Sequence, residues 1–190
     1  MKKMIYISKG VVLNNSTVKS IRVMRNGMVY QMTGNEARIW LDGRYGFQEV
    51  ASESDKCVLE RLAKLSLVEM EETDSDVSRY RILCRCVCAA TKTKWFSLPV
   101  GGIQKDILIW LKNAGLRLTT AELVCLQEKG IRPEARYLHA ENRQALVELI
   151  YTVDTIADNV LENLMEKADQ RDKVVYALEM LLRKEKMVIL

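Results

Sequence analysis

The 190-residue chain is poor in the residues that irregular and fibrous proteins use most, with only two prolines and nine glycines. This composition excludes a collagen-like repeat, a proline- or glycine-rich linker protein and a disordered tail. No stretch approaches the roughly 18 consecutive apolar residues that a membrane-spanning helix needs. The apolar run behind the initial Met-Lys-Lys covers residues 4–7, which is too short for the core of a signal peptide. We therefore expect a cytoplasmic protein that does not enter a membrane.

Motifs that carry catalysis are also missing. The sequence contains neither G-x-x-x-x-G-K-S/T nor G-x-G-x-x-G, the glycine-rich loops that cradle phosphates. His139 is the single histidine, and nothing in the sequence places Cys57 or Cys125 beside it as a nucleophile. Two carboxylate pairs, Glu71 with Glu72 and Asp169 with Asp172, fall at predicted helix ends or turns, where such groups are usually solvated. The sequence predicts a protein that is not an enzyme and binds no cofactor.

The five cysteines are an odd number, and three of them form C-x-C-x-C: Cys57, Cys84, Cys86, Cys88 and Cys125. Zinc sites usually space paired thiolates by two to four residues and need four ligands. Around the triplet, apolar residues and cysteines alternate with arginines, so that Arg79, Arg81 and Arg85 share one predicted face. This pattern favours a core strand over residues 79–88 with buried, metal-free thiols. A metal or redox site is the alternative.

Positive charge is concentrated in the first half of the chain. Residues 1–98 hold 16 basic and 11 acidic side chains, a net charge of +5, whereas residues 99–190 hold 13 and 14, a net charge of −1. A basic half suits a polyanion such as DNA. The alternative is an ordinary solvated surface.

Residues 18–32 predict a β-hairpin, because Asn26-Gly27 lies between two β-prone runs and tolerates the positive φ angles of a type I′ turn. Residues 1–13 predict a further strand or arm. A helix should then begin at Thr33, the predicted N-cap, with Glu36 completing a capping box, and end at Asp42-Gly43.

The order of the following elements is that of a winged helix. We expect a short second helix over residues 46–51, a third helix opened by residues 52–55, a strand over 67–70, a polar turn over 71–78 and the strand 79–88. Residues 73–76 would form the wing tip, and the arginine face of the returning strand would contact phosphates. Lys92 and Lys94 extend that basic face.

Residues 94–102 predict a connector because they contain Pro99 and Gly101-Gly102. Trp95 and Phe96 are expected to pack the two halves together. The second half is predicted to be helical, with a capping box from Thr119 to Glu122, a helix start near Pro133 and a cap over residues 152–155. Ile156, Val160, Leu161 and Leu164 should then point inward. The last helix, over 171–184, should lead into a final strand over residues 187–190.

These observations predict an α+β fold that is mostly helical. Residues 1–98 should form a winged-helix domain with an N-terminal hairpin. Residues 99–190 should form a helical domain, and a second winged helix is the alternative there. Two segments, 35–68 and 142–189, share the pattern of a first helix, a second helix, a long third helix and an exit strand.

Residues 29–72 resemble the small winged-helix domains of bacterial regulators and the related PqqD-type domains that bind precursor peptides. The resemblance depends on Asn35, on Trp40 to Gly43, and on Leu62 with residues 65–68 at the exit of the third helix. For a regulator it implies a third helix that enters the major groove. For a PqqD-type domain it implies a peptide strand added to an open sheet edge.

Two functions follow. The first is a DNA-binding transcriptional regulator that uses a winged helix-turn-helix, alone or as a homodimer. Its candidate DNA contacts are Lys56, Arg61, Lys64, Arg79, Arg81, Arg85, Lys92 and Lys94. The alternative is a non-enzymatic module that binds a peptide or protein, with the hairpin 18–32 supplying the edge. That alternative is favoured by the lack of Asn or Gln on the third helix to read adenine.

Overall fold

The structure is a computed structural model, and it describes residues 3–13, 20–91, 100–113, 117–138 and 143–190. The predicted α+β class is confirmed, since small antiparallel sheets are combined with a larger helical part. None of the helices in these ranges is long and apolar enough to cross a membrane.

The described residues between 3 and 91 form seven strands and three α-helices. They are β1 (Ile5–Ser8), β2 (Val11–Val12), β3 (Ser20–Arg25), β4 (Met28–Thr33), α1 (Gly34–Asp42), β5 (Gln48–Glu49), α2 (Glu53–Lys64), β6 (Val68–Glu71), α3 (Asp76–Cys84) and β7 (Val87–Ala90).

The predicted hairpin is confirmed as β3 and β4. Arg25 pairs with Met28 across the two turn residues, and both turn residues have positive φ, 50° at Asn26 and 78° at Gly27. These angles are those of a type I′ turn, whose twist matches that of the flanking strands.

The first predicted helix is confirmed as α1, but its capping box is wrong. The Thr33 side chain makes no capping hydrogen bond, and Glu36 pairs with Arg61 of α2 instead. The helix opened by Ser52 is confirmed as α2, with the Ser52 hydroxyl accepting a hydrogen bond from the Asp55 amide.

The short second helix predicted over residues 46–51 is wrong. A 3-10 turn over Gly43–Tyr45 follows α1 directly, and β5 then pairs with β1. Gly46 has a φ of 147°, which turns the chain out of the helical path.

The strand predicted over residues 79–88 is wrong over most of its length. Arg79 and Arg81 lie on helix α3, Arg85 caps its end, and only β7 is extended. The predicted wing tip is wrong for the same reason, because Ser75 is the N-cap of α3 and accepts a hydrogen bond from the Ser78 amide at 3.1 Å. Helix α3 buries Tyr80 together with Ile82 and Leu83, so its apolar residues form no single helical stripe. Their alternation with arginine therefore has the two-residue period that is typical of a strand.

Residues 100–190 supply the remaining elements. They are α4 (Gly102–Asn113), β8 (Leu118–Thr119), α5 (Thr120–Glu128), α6 (Ala135–Leu138), α7 (Arg143–Ile150), α8 (Asp158–Met165), α9 (Arg171–Arg183) and β9 (Met187–Ile189). The Thr119–Glu122 capping box, the last helix and the final strand are confirmed. Of the four side chains predicted to point inward around α8, Leu161 alone is buried, while Ile156 is 71% and Leu164 50% exposed.

Three antiparallel sheets of three strands each are present in the described part of the chain. Their strand orders are β5-β1-β6, β2-β3-β4 and β8-β7-β9. In the third sheet β7 precedes residue 98, whereas β8 and β9 follow it. The division of the chain into domains at residue 98 stays a prediction, and the connector residues 92–99 lie outside the described ranges.

Strand β1 lies between two hydrophobic clusters. Tyr6 packs into a cluster formed by the hairpin, α1 and α2, around Trp40 and Leu62. Ile5 and Ile7 point to the other face of the strand and join the larger cluster of α3, α4, α5 and α9. One short strand therefore connects both cores.

The two helix-to-strand exits agree in detail, in keeping with the predicted internal pattern. Helix α2 ends with the Leu67 amide bonded to the Leu62 carbonyl at 2.9 Å, and α9 ends with the Lys186 amide bonded to the Leu181 carbonyl at 2.9 Å. Ser66 and Glu185 take the left-handed conformation at these ends, with φ of 57° and 54°. Both exits are Schellman motifs without glycine.

Candidate functional site

The basic side chains of α2 that were predicted to contact DNA are mostly paired within the protein. Lys56 Nζ lies 3.3 Å from Glu53 Oε1, and Arg61 forms an ion pair with Glu36. Lys64 is exposed and has no ion pair with a described residue. Helix α2 therefore offers one uncompensated cation to a phosphate.

The arginines of α3 are bound more firmly to carboxylates. Arg79 holds Asp74 with two parallel hydrogen bonds of 2.8 and 3.0 Å and reaches Glu179 at 3.3 Å. These contacts lower the pKa of the Asp74 carboxyl, first through the hydrogen bond from Arg79. Such bidentate pairs are geometrically specific and are among the stronger ion pairs.

Arg81 and Arg85 follow the same pattern. Arg81 Nη2 lies 3.0 Å from Glu166 Oε1, and Arg85 Nη2 lies 2.6 Å from Glu71 Oε1. The three arginines therefore connect α3 to neighbouring elements instead of forming one free basic face. Lys92 and Lys94 lie outside the described residues.

The thiols of the C-x-C-x-C segment lie in a helix, in the turn after it and in a strand. Cys84 ends α3, Cys86 follows it, and Cys88 lies in β7. Cys86 and Cys88 are buried and Cys84 is half-buried, which agrees with the predicted burial. Burial raises the pKa of both the Cys84 and the Cys88 thiol to about 12. No group of three metal-ligating side chains exists among the residues with described placement, and metal-free thiols stay a prediction.

The edge of the hairpin sheet at β4 is a candidate binding feature, because no described strand pairs with its outer side. Strand β4 is one of the two edge strands of β2-β3-β4, the other being the two-residue β2. Because Arg25 and Met28 flank a two-residue turn, they form a hydrogen-bonded pair, and so do Val23 and Tyr30 two residues further on. The amide and carbonyl groups of Val29 and Gln31 therefore point away from β3, towards the open edge.

Exposed apolar side chains accompany this edge. Val29 is 48% and Met28 58% exposed, and Met24, the cross-strand partner of Val29, is 43% exposed. The face of the hairpin opposite to Met24 and Val29 packs into the core through Ile21, Val23 and Met32. The edge is thus supported by a packed core, and its outer backbone groups pair with no described strand.

Sequence reasoning located the hairpin but not which backbone groups face outward. Asn26-Gly27 could have supplied that signal, because a two-residue turn fixes the register and with it the hydrogen-bonded pairs. No local sequence pattern indicates that the arginines form ion pairs, because carboxylate partners such as Glu166 and Glu179 lie far away in the sequence.

A comparison of the chain with protein-family models, with curated proteins and with solved structures found no match.

Proposed function

We propose that the protein is a non-enzymatic module that binds an extended peptide segment by adding it as a strand to the edge of β4. The observation that carries the proposal is the outward register of Val29 and Gln31 beside exposed apolar side chains. Strand addition obtains affinity from main-chain hydrogen bonds and specificity from alternate side chains. The exposed side chain of Val29 would contact an apolar side chain of the peptide.

The resemblance of residues 29–72 to PqqD-type domains supports this proposal. A hairpin sheet, β2-β3-β4, leads directly into α1 and α2, and Trp40 at the centre of the motif is fully buried in their common cluster. Sheets β5-β1-β6 and β8-β7-β9 each place a two-residue strand shortly before a helix and an exit strand after a helix. This arrangement supports a winged-helix-like layout in both halves.

The state of the basic side chains favours a peptide over DNA. Counterion release by phosphate binding needs cations that are free to exchange small ions. Arg79, Arg81 and Arg85 would first have to give up carboxylate partners. An extended peptide needs none of these side chains.

Amide exchange tests the proposal directly. We expect random peptides displayed on phage to yield binders to the purified chain. A selected peptide should slow hydrogen exchange at the Val29 and Gln31 amides, which face outward. The Tyr30 and Met32 amides, already bonded to β3, should change little. Protection confined to another surface would refute strand addition at β4.

A proline variant with a matched control separates backbone from side-chain binding. Val29→Pro removes an amide that the β3–β4 ladder does not use, so the hairpin should form while peptide affinity falls. Val29→Thr keeps the amide and should retain most of the affinity. Equal peptide binding by both variants, with both folded by circular dichroism, would contradict the proposal.

DNA binding is the second candidate, favoured by the net charge of +5 on residues 1–98 and by the exposed Lys64. It predicts retention of genomic fragments in a gel shift at about 50 mM salt, where non-specific attraction is strong. Replacing Lys64 by Ala should reduce the slope of log K against log salt by about 0.9. Absence of retention at that salt concentration would exclude DNA binding, and peptide binding would then be the one proposed function.

A further inference from the structure

A groove of about 820 Å³ lies between the hairpin sheet and the sheet formed by β7 and β9. Residues 11–13 line one side, and residues 89–91 and 187–190 line the other. The Gly10 amide donates a 2.8 Å hydrogen bond to the Ile189 carbonyl, which ties the two sides together. This volume lies within the roughly 300–1,000 Å³ range of small-molecule sites.

The surface of the groove is mainly apolar. In β9, Met187 and Ile189 are buried in the large core, whereas Val188 and the following Leu190 are half-buried on the opposite face of the sheet. Val11 and the exposed Met24, which are cross-strand partners on one face of the hairpin sheet, complete the apolar lining. An apolar chain placed here would be removed from water, and burying it is favourable in proportion to its area.

Two arginines in this groove differ from the other arginines of the molecule. Among the arginines whose side chains the structure describes, which leaves out Arg143, Arg44 and Arg117 are the two that make no hydrogen bond or ion pair with a described residue. Arg44 is half-buried and lies over the Tyr45 ring at 5.2 Å. Arg117 also lines a smaller adjoining cavity of about 190 Å³.

The charged side chains that line the groove have a net positive charge. Glu185 is the one carboxylate side chain among its lining residues, against Arg44 and Arg117, and Glu185 has interactions of its own. A guanidinium presents several N–H donors in a planar fork and binds a carboxylate with two parallel hydrogen bonds. The groove thus combines an apolar surface with two guanidinium groups that form no ion pair with a described residue.

We propose that this groove is a binding site for a small apolar carboxylate, whose chain lies against Val11, Val188 and Leu190 and whose carboxylate pairs with Arg44 or Arg117. The site is separate from the β4 edge and does not depend on peptide binding there. It gives the module a second ligand, of the amphipathic acid class.

Calorimetry with a matched pair of amphiphiles tests the charge requirement. Decanoate and decyltrimethylammonium carry chains of similar length and opposite charge, and both are used below their micellar concentrations. Decanoate should bind, and the cation should bind at least tenfold more weakly. Equal binding of the two, or no heat from decanoate, would overturn the proposal.

Variants locate the binding site. Arg44→Gln and Arg117→Gln should each weaken decanoate binding, the stronger effect being about tenfold, since a charge-assisted hydrogen bond contributes that much. Arg132→Gln is the matched control, because Arg132 is exposed and paired with Asp106 outside the groove. Unchanged affinity in the double variant Arg44→Gln/Arg117→Gln would refute the site.

A filling variant tests the apolar part. Val188→Trp places a large ring in the groove and should abolish decanoate binding, with folding checked by circular dichroism. Should Val188→Trp fail to fold, Val11→Trp fills the groove from the hairpin side. Val29→Pro should leave decanoate affinity unchanged, so that failure of this site and failure of the peptide edge are distinguishable. Full decanoate affinity in a folded filling variant would overturn the proposal.

Discussion

A side chain larger than hydrogen has no room at residue 43. A Cβ atom there would lie 2.6 Å from the Ser8 hydroxyl oxygen and 2.7 Å from Tyr6 Cε2. Both neighbours belong to β1, the strand that joins the two cores. Gly43 thus lets the turn after α1 approach the central strand.

Gly43→Ala should lower the free energy of unfolding by about 1–3 kcal/mol, the usual cost of overpacking. Gly101→Ala is the control, because no described atom lies within 4 Å of its Cβ position. Urea denaturation of both variants measures the difference. Equal stability of the two would show that β1 moves aside at little cost.

The buried thiols make stability depend on alkaline pH. Burial raises the pKa of Cys84 and of Cys88 to about 12, from a usual value of 9.0. Above about pH 9 the unfolded chain loses these protons while the folded chain keeps them, so the folded state becomes less favoured as pH rises. Between about pH 9 and pH 12, each thiol lowers the free energy of unfolding by up to about 1.4 kcal/mol for each unit of pH.

Urea denaturation between about pH 8 and pH 11 should therefore show a falling free energy of unfolding. Cys88→Ala should make the fall less steep, whereas Cys57→Ser, which removes an exposed thiol, should not. An identical pH slope in the two variants would contradict a buried, protonated Cys88.

At the scale of elements, the turn that follows helix α2 contains a residue, Ser66, that is poorly suited to its backbone conformation. Ser66 has a φ of 57°, is exposed, and forms the Schellman end that directs the chain into β6. Glycine takes this conformation without the steric cost that a Cβ atom brings.

Ser66→Gly should raise the free energy of unfolding by about 0.5–1 kcal/mol, because the strain of the left-handed residue is removed. Ser54→Gly is a matched control, since it places glycine in the first turn of α2 and should destabilise. Thermal unfolding of both variants checks the sign. A loss of stability in Ser66→Gly would mean that unfolded-chain entropy outweighs the strain.

At the scale of the whole molecule, the segment α3–β7 packs with the C-terminal half. Tyr80 and Leu83 belong to the same cluster as Leu126 and Leu178, and β7 lies between β8 and β9. The Tyr80 hydroxyl donates a 2.9 Å hydrogen bond to the Glu162 carbonyl. Residues on both sides of position 98 therefore complete one core.

A fragment of residues 1–98 should not unfold cooperatively, because it would expose Ile5, Ile7 and the apolar residues of α3 to water. Circular dichroism during urea titration measures this against the full chain. A sharp transition in the fragment, with the stability of a complete domain, would show that residues 1–98 fold independently, as the sequence predicts.

Features of the chain that depend on neighbouring residues were predictable from the sequence. The Asn26-Gly27 turn, the Ser52 cap and the Thr119–Glu122 capping box each depend on contacts between residues at most four positions apart. Helix α9 was equally predictable, because the apolar residues that form one face of this helix are the ones that pack into the core.

Tertiary packing decided the remaining features. Helix α3 is buried on several sides, so the spacing of its apolar residues could not distinguish it from a strand. Arg79 meets Glu179 one hundred residues away, and Arg81 meets Glu166 across 85, so no local pattern could show that these cations are already paired. The groove with Arg44 and Arg117 exists because the hairpin sheet and β9 lie side by side. Local sequence sets turns and caps through short-range hydrogen bonds, whereas the partners of charged side chains depend on which distant surfaces the burial of apolar residues brings together.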